Sequence, residues 1–135
     1  MPKAKEFTIT IEDKPGALGA CLTGLAQKGV NILAFQSWVE GVESILRIVV
    51  DNPAAAKSVL GGMRMIFEET DVVIMRVPHQ PGQFARAATR LGENRINIDY
   101  SYLGFEPGSN QAMLVFGVDS LTRAANVLDE LAAQQ

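Results

Sequence analysis

The sequence predicts an α+β protein built from two tandem βαββαβ units, each an antiparallel sheet with two helices on one face. Three observations carry that expectation. Residues 13–18, Asp-Lys-Pro-Gly-Ala-Leu, form a turn that opens a helix, and Val30-Asn31-Ile32 follow where the next strand starts. The arrangement returns as His-Gln-Pro-Gly-Gln-Phe at 79–84 and as Ile96-Asn97-Ile98. Over the twenty aligned positions 13–32 and 79–98, six residues are identical, and they fall at the turn, on the helix and at the strand start. One unit used twice explains this, with boundaries at 1–70 and 71–135.

In the first unit, residues 7–11 alternate apolar and polar, the period of a half-buried strand. Pro15 suits the first helical turn, where its missing N–H has no partner to lose. Leu18, Cys21, Leu22 and Leu25 make one buried stripe, and Gly29 ends the helix because it turns left-handed at little cost. Residues 31–38 read as a second strand, Gly41 as a hairpin turn, and residues 44–50 as a buried third strand rich in β-branched side chains. Asn52 is the N-cap and Pro53 the first position of another helix, which Gly61-Gly62 stop. Residues 64–69 make a fourth strand, and Glu68-Glu69-Thr70-Asp71 a solvated junction.

Residues 72–77 open the second unit. The helix after Gly82 buries Phe84, Ala88 and Leu91, and residues 97–103 form a strand with Tyr100 and Tyr102 on one face. A hairpin at 106–109 leads to a strand at 112–118. Asp119-Ser120 cap a last helix with Leu121, Ala124, Ala125, Leu128 and Leu131 inward. No fourth strand follows there, so this unit is open on one side or completed from elsewhere, with 64–69 shared or rearranged at the junction.

Composition narrows the function. Hydrophobic residues are 47% and charged residues 20%, the profile of a soluble globular protein. A net charge of −3 argues against nucleic acid, whose phosphates call for a basic face. No apolar run is long enough for a membrane span, and the first residues lack the apolar core of a signal peptide. The single cysteine, Cys21, excludes an internal disulfide and fits a reducing compartment, so the expected location is cytoplasmic. One histidine and one cysteine make no zinc cluster, and no glycine-rich phosphate loop is complete; no metal or cofactor is expected. An acylphosphatase-like enzyme shares the element order but needs an arginine in the first loop, which residues 13–16 do not supply. The reading is therefore non-enzymatic.

On the two turns, the helix ending in Gly29, the Asn-Ile strand starts, the element order and the duplication, the sequence resembles the ACT domain, a ferredoxin-like amino-acid-sensing module of metabolic enzymes. The resemblance covers the whole chain as two units with no catalytic domain. It implies effector binding between paired domains, from the helix-opening turn of one and the second-strand region of its neighbour. The positions it marks are Asp13, Lys14, Pro15, Gly16, Ala17 and Leu18 with Asn31 and Ile32. In the second copy they are His79, Gln80, Pro81, Gly82, Gln83 and Phe84 with Asn97 and Ile98. His79 in place of Asp13, and Gln80 in place of Lys14, make the two sites unequal.

The chemistry of those residues suits a zwitterion. Free N–H groups at a helix start hold a carboxylate, and glycine allows close approach. Asp13, an asparagine carbonyl or backbone oxygens accept from an ammonium. The expected function is a sensor that binds an amino acid or close analogue, as a homodimer, with a metabolic enzyme as a further partner. The competing reading is a ligand-independent interaction module. Each residue also has a plain structural use: Pro-Gly as ordinary turn chemistry, both asparagines as strand starters, and Cys21 as core.

Overall fold

A computed structural model describes residues 2–134. Its elements run β1 (Lys3–Glu12), α1 (Ala17–Gln27), β2 (Ile32–Glu40), β3 (Glu43–Val50), α2 (Pro53–Gly62), β4 (Ile66–Pro78), α3 (Gln83–Glu93), β5 (Ile98–Phe105), β6 (Gln111–Val118) and α4 (Leu121–Ala133). These elements form two compact units: residues 5–70, and residues 71–134 together with residues 2–4. The division falls inside two strands, β1 and β4.

In the unit of residues 5–70, β3 lies between β1 and β2 and is antiparallel to both, with Phe7 and Phe35 opposite Ile48. Strand alternation sends Phe7, Ile9, Leu46 and Ile48 to one face, where Cys21 and Leu25 of α1 and Ala56 and Leu60 of α2 cover them. The asparagine at position 52 caps α2 as expected, its side chain accepting from the Ala55 N–H at 3.1 Å, with Pro53 next. Gly24 sits on α1 where a Cβ would meet the Met63 Sδ at 2.4 Å, so its missing side chain lets Met63 pack close. On the other face Glu6, fully buried, faces Arg47 at 3.8 Å, and the Arg47 guanidinium lies 4.7 Å from the Trp38 ring centre.

In the other unit β6 is central, antiparallel to β4 and β5. Val73, Val77, Leu114 and Phe116 pack against Ala87 and Leu91 of α3 and Ala124, Leu128 and Leu131 of α4. Tyr100 lies opposite Gly117, whose bare Cα leaves room for the ring, and stacks with Tyr102 at 6.4 Å and 7°. The Ile74 N–H donates to the Pro2 carbonyl at 2.6 Å, placing the first residues beside the second half of β4.

Several expectations are corrected. Residues 64–69 are not a separate fourth strand: Ile66–Pro78 is one continuous strand, with residues 66–70 in one unit and 71–78 in the other. The acidic stretch 68–71, read as a solvated junction, is exposed as expected and lies within that strand. Gly61 and Gly62 are helical and do not stop α2. The stop is Arg64, left-handed at φ 59, with its N–H on the Gly61 carbonyl and that of Met65 on Leu60, each at 3.0 Å. In α3 the buried position is Ala87, one turn before Leu91, and Ala88 is exposed. Ser120 is the N-cap of α4 by position, but its side chain accepts no capping bond.

Candidate ligand-binding site

The two helix-opening turns are copies in geometry as well as in sequence. Gly16 stands at φ 87, ψ −14 and Gly82 at φ 88, ψ −13, a left-handed conformation that glycine alone takes freely. The supporting bonds repeat. Lys14 N–H reaches the Glu12 carbonyl at 3.1 Å and Gln80 N–H the Pro78 carbonyl at 2.9 Å. Ala17 N–H meets the Lys14 carbonyl at 3.2 Å and Gln83 N–H that of Gln80 at 3.3 Å. The amide at Ala17 is thus already used, which moves the free donors of the helix start on to Leu18 and Gly19, and in the second copy to Phe84 and Ala85. Neither helix has a side-chain cap over those donors, and a Cβ built on either glycine meets nothing within 4 Å. Two bare helix N-termini therefore face open space, the arrangement that favours an anion.

Within one unit, the remaining marked residues lie elsewhere. Register puts Glu12, Glu43 and Glu40 on one rung next to the Asp13 turn, while Ile32 pairs with Val50 at the far end of the sheet. At ~3.3 Å per residue the turn and Asn31 are roughly 25 Å apart. Asn31 is tied to Asp51, its N–H donating to the carboxylate at 3.0 Å and its carbonyl accepting from the Asp51 N–H at 3.1 Å. The Asn97 side chain donates to Asp99 at 2.9 Å. Asp13 accepts from the Ser44 hydroxyl at 3.4 Å, and Lys14 pairs with Glu12 at 3.1 Å.

The two turns differ in what surrounds them. His79, Gln80, Pro81, Gly82 and Phe84 line a hollow of about 380 Å3, and the His79 and Phe84 rings lie 6.1 Å apart. His79 also lines a neighbouring hollow of about 450 Å3 with Leu103, Phe105 and Gln111. Those β5 and hairpin residues were not expected at the site. Their signal was in the sequence, as Phe105 is an aromatic next to a turn, and it is 78% exposed. In the first unit, Lys14 and Ala17 line a cavity of about 400 Å3 on the inner side of the turn, with Cys21 in its wall. Burial raises the Cys21 pKa above its ordinary value, so the thiol stays protonated at neutral pH. Among the described residues no cluster of three metal-ligating side chains occurs, and no helix is long and apolar enough to cross a membrane.

The repeated turns and the two helix-backed antiparallel sheets define a class. The sequence matches the ACT domain pair family over residues 3–133, and the chain belongs to it. Among solved structures it is similar to protein BT0572 from Bacteroides thetaiotaomicron, at 27% identity and a TM-score of 0.85, covering 97% of this chain and 90% of that one. The ligand-free regulatory subunit of aspartate kinase from Thermus thermophilus shares the fold at 17% identity and a TM-score of 0.62, covering 96% and 91%. A structure of aspartokinase alpha and beta subunits does so at 15% identity and 0.56, covering 96% of each chain. No curated protein matches the sequence.

Proposed function

We propose that this ACT domain pair is a non-catalytic sensor of a free amino acid or close analogue. The observation that carries the reading is the duplicated turn, two left-handed glycines each opening an uncapped helix start onto free space. The ligand's carboxylate would sit on those N–H groups, and its ammonium on carboxylate, asparagine or carbonyl oxygens. Because turn and strand-start asparagine lie at opposite ends of one sheet, a site using both draws them from different units, as in paired domains or a dimer. The likeness to a regulatory subunit of aspartate kinase supports a role in controlling amino-acid metabolism through an enzyme partner; the cytoplasmic location that goes with this reading rests on the single cysteine. The hollows beside His79 and Phe84 give the second turn the more enclosed surroundings.

The test is a panel of free amino acids in thermal-shift measurements. A ligand at one hundred times its dissociation constant adds about 2.7 kcal/mol of stability. Gly16→Asp and Gly82→Asp are the diagnostic variants. Aspartate tolerates the left-handed backbone better than most residues and suits a helix N-terminus, yet its charge repels an incoming carboxylate. Both variants staying folded and binding as well as the parent would refute the site. A flat response across the panel would favour the interaction-module reading.

A further inference from the structure

The cavity in the unit of residues 5–70 is lined differently from the matching position in its repeat. It lies between the end of β1, the first turns of α1 and the α2–β4 connection, and holds about 400 Å3, within the size range of small-molecule pockets. Its walls are apolar, with Ile11, Ala20, Cys21 and Met63 among them, and its charged groups are Glu12, Lys14 and Arg64.

Two observations single it out. In the aligned repeat, Arg86 stands where Ala20 does, and its guanidinium spans to the Leu131 carbonyl at 3.1 Å. Met63 follows α2 where Leu131 stands in α4, and Ala20 is too short to make the bridge that Arg86 makes in the other unit. The second observation is Arg64 itself. It takes the left-handed position after a helix, a job that Gly29 does after α1 at φ 75 and that costs a side-chain-bearing residue conformational energy. Among the described residues Arg64 has no ion pair, whereas Lys14 is balanced by Glu12. One uncompensated cation thus stands at an apolar pocket.

We propose that this cavity binds an apolar monocarboxylate, its chain against Ala20, Cys21 and Met63 and its carboxylate on Arg64. The cavity shares Lys14 and Ala17 with the first turn but differs from the amino-acid reading in needing no acceptor for an ammonium and only one unit.

Calorimetric titration with octanoate, and with octanamide as the uncharged counterpart, tests it. Octanoate should bind and octanamide should bind at least about tenfold more weakly, the worth of a charge-assisted hydrogen bond. Arg64→Gly should raise the thermal midpoint of the free protein, because it relaxes the backbone, while weakening octanoate about tenfold. Arg95→Gly is the control: Arg95 has the same backbone at φ 57 but does not line the cavity, so octanoate binding should not change. Ala20→Arg should plug the space and abolish binding. No octanoate binding, equal binding of the amide, or undiminished binding by Arg64→Gly would each overturn the proposal. Octanoate binding should survive Gly82→Asp, and amino-acid binding at the second turn should survive Ala20→Arg, so either reading can fail alone.

Discussion

Gly117→Ala should destabilise the protein even though it adds one methyl group to a β-strand. A Cβ at that position would lie 2.1 Å from Tyr100 Cε2, 2.2 Å from Cζ and 2.7 Å from Cδ2, all too close for carbon. The ring would have to leave its place opposite Gly117 and break its parallel stack on Tyr102. Overpacking of this kind costs about 1–3 kcal/mol. Against it, alanine restricts the unfolded chain and returns about 0.4–1 kcal/mol where the backbone accepts it. The net loss should be about 1–2 kcal/mol, read from urea unfolding followed by far-UV circular dichroism. In a Tyr100→Ala background the ring is gone, and the same substitution should become neutral or slightly stabilising. The coupling between the two positions should then be about 2 kcal/mol. An equal loss in both backgrounds would refute the steric argument.

Two further outcomes follow from other parts of the fold. Asn52→Ala removes the acceptor of the Ala55 N–H and should cost about 1 kcal/mol in urea unfolding, with the α2 amides exchanging faster. Cys21 has a raised pKa in the folded state, because burial penalises its thiolate, so the unfolded chain gives up that proton first as pH rises. The contribution is complete below the ordinary thiol value of 9.0 and is lost as pH climbs past it. Between pH 8 and pH 10 the parent should therefore lose more stability than Cys21→Ala, and the native thiol should resist alkylation at pH 7.

Much of the fold was legible because local physics and tertiary demand agree. Turn glycines, the Asn52-Pro53 cap and the strand alternation at Phe7 to Ile11 each point to the element that forms. The errors arose where local signals were overruled. Gly61-Gly62 reads as a stop, yet burial of Leu60 carries α2 through both glycines and leaves the left-handed turn to an arginine. The acidic stretch 68–71 reads as a solvated junction and is exposed, yet the strand runs on through it, because a strand with exposed side chains carries charge at little cost. The sequence places Ala88 inward, one residue away from the pair that is buried, Ala87 and Leu91. As for the site, the turns were readable from Pro-Gly, while the hollows around them depend on Phe105 and Leu103, far along the chain. The cavity beside Arg64 was not legible, because it is made by the end of β1, α1 and the α2–β4 connection, which are far apart in the chain.

That residues 2–4 belong with residues 71–134 has a temporal side. During synthesis the carbonyl of Pro2 must wait until Ile74 has emerged, several seconds later at roughly 5–20 residues per second. Splitting the gene between codons 70 and 71 would leave the later fragment with an unprotected strand edge, the kind of edge that recruits stray chains. Co-expressed fragments should consequently be more soluble than the later fragment made by itself.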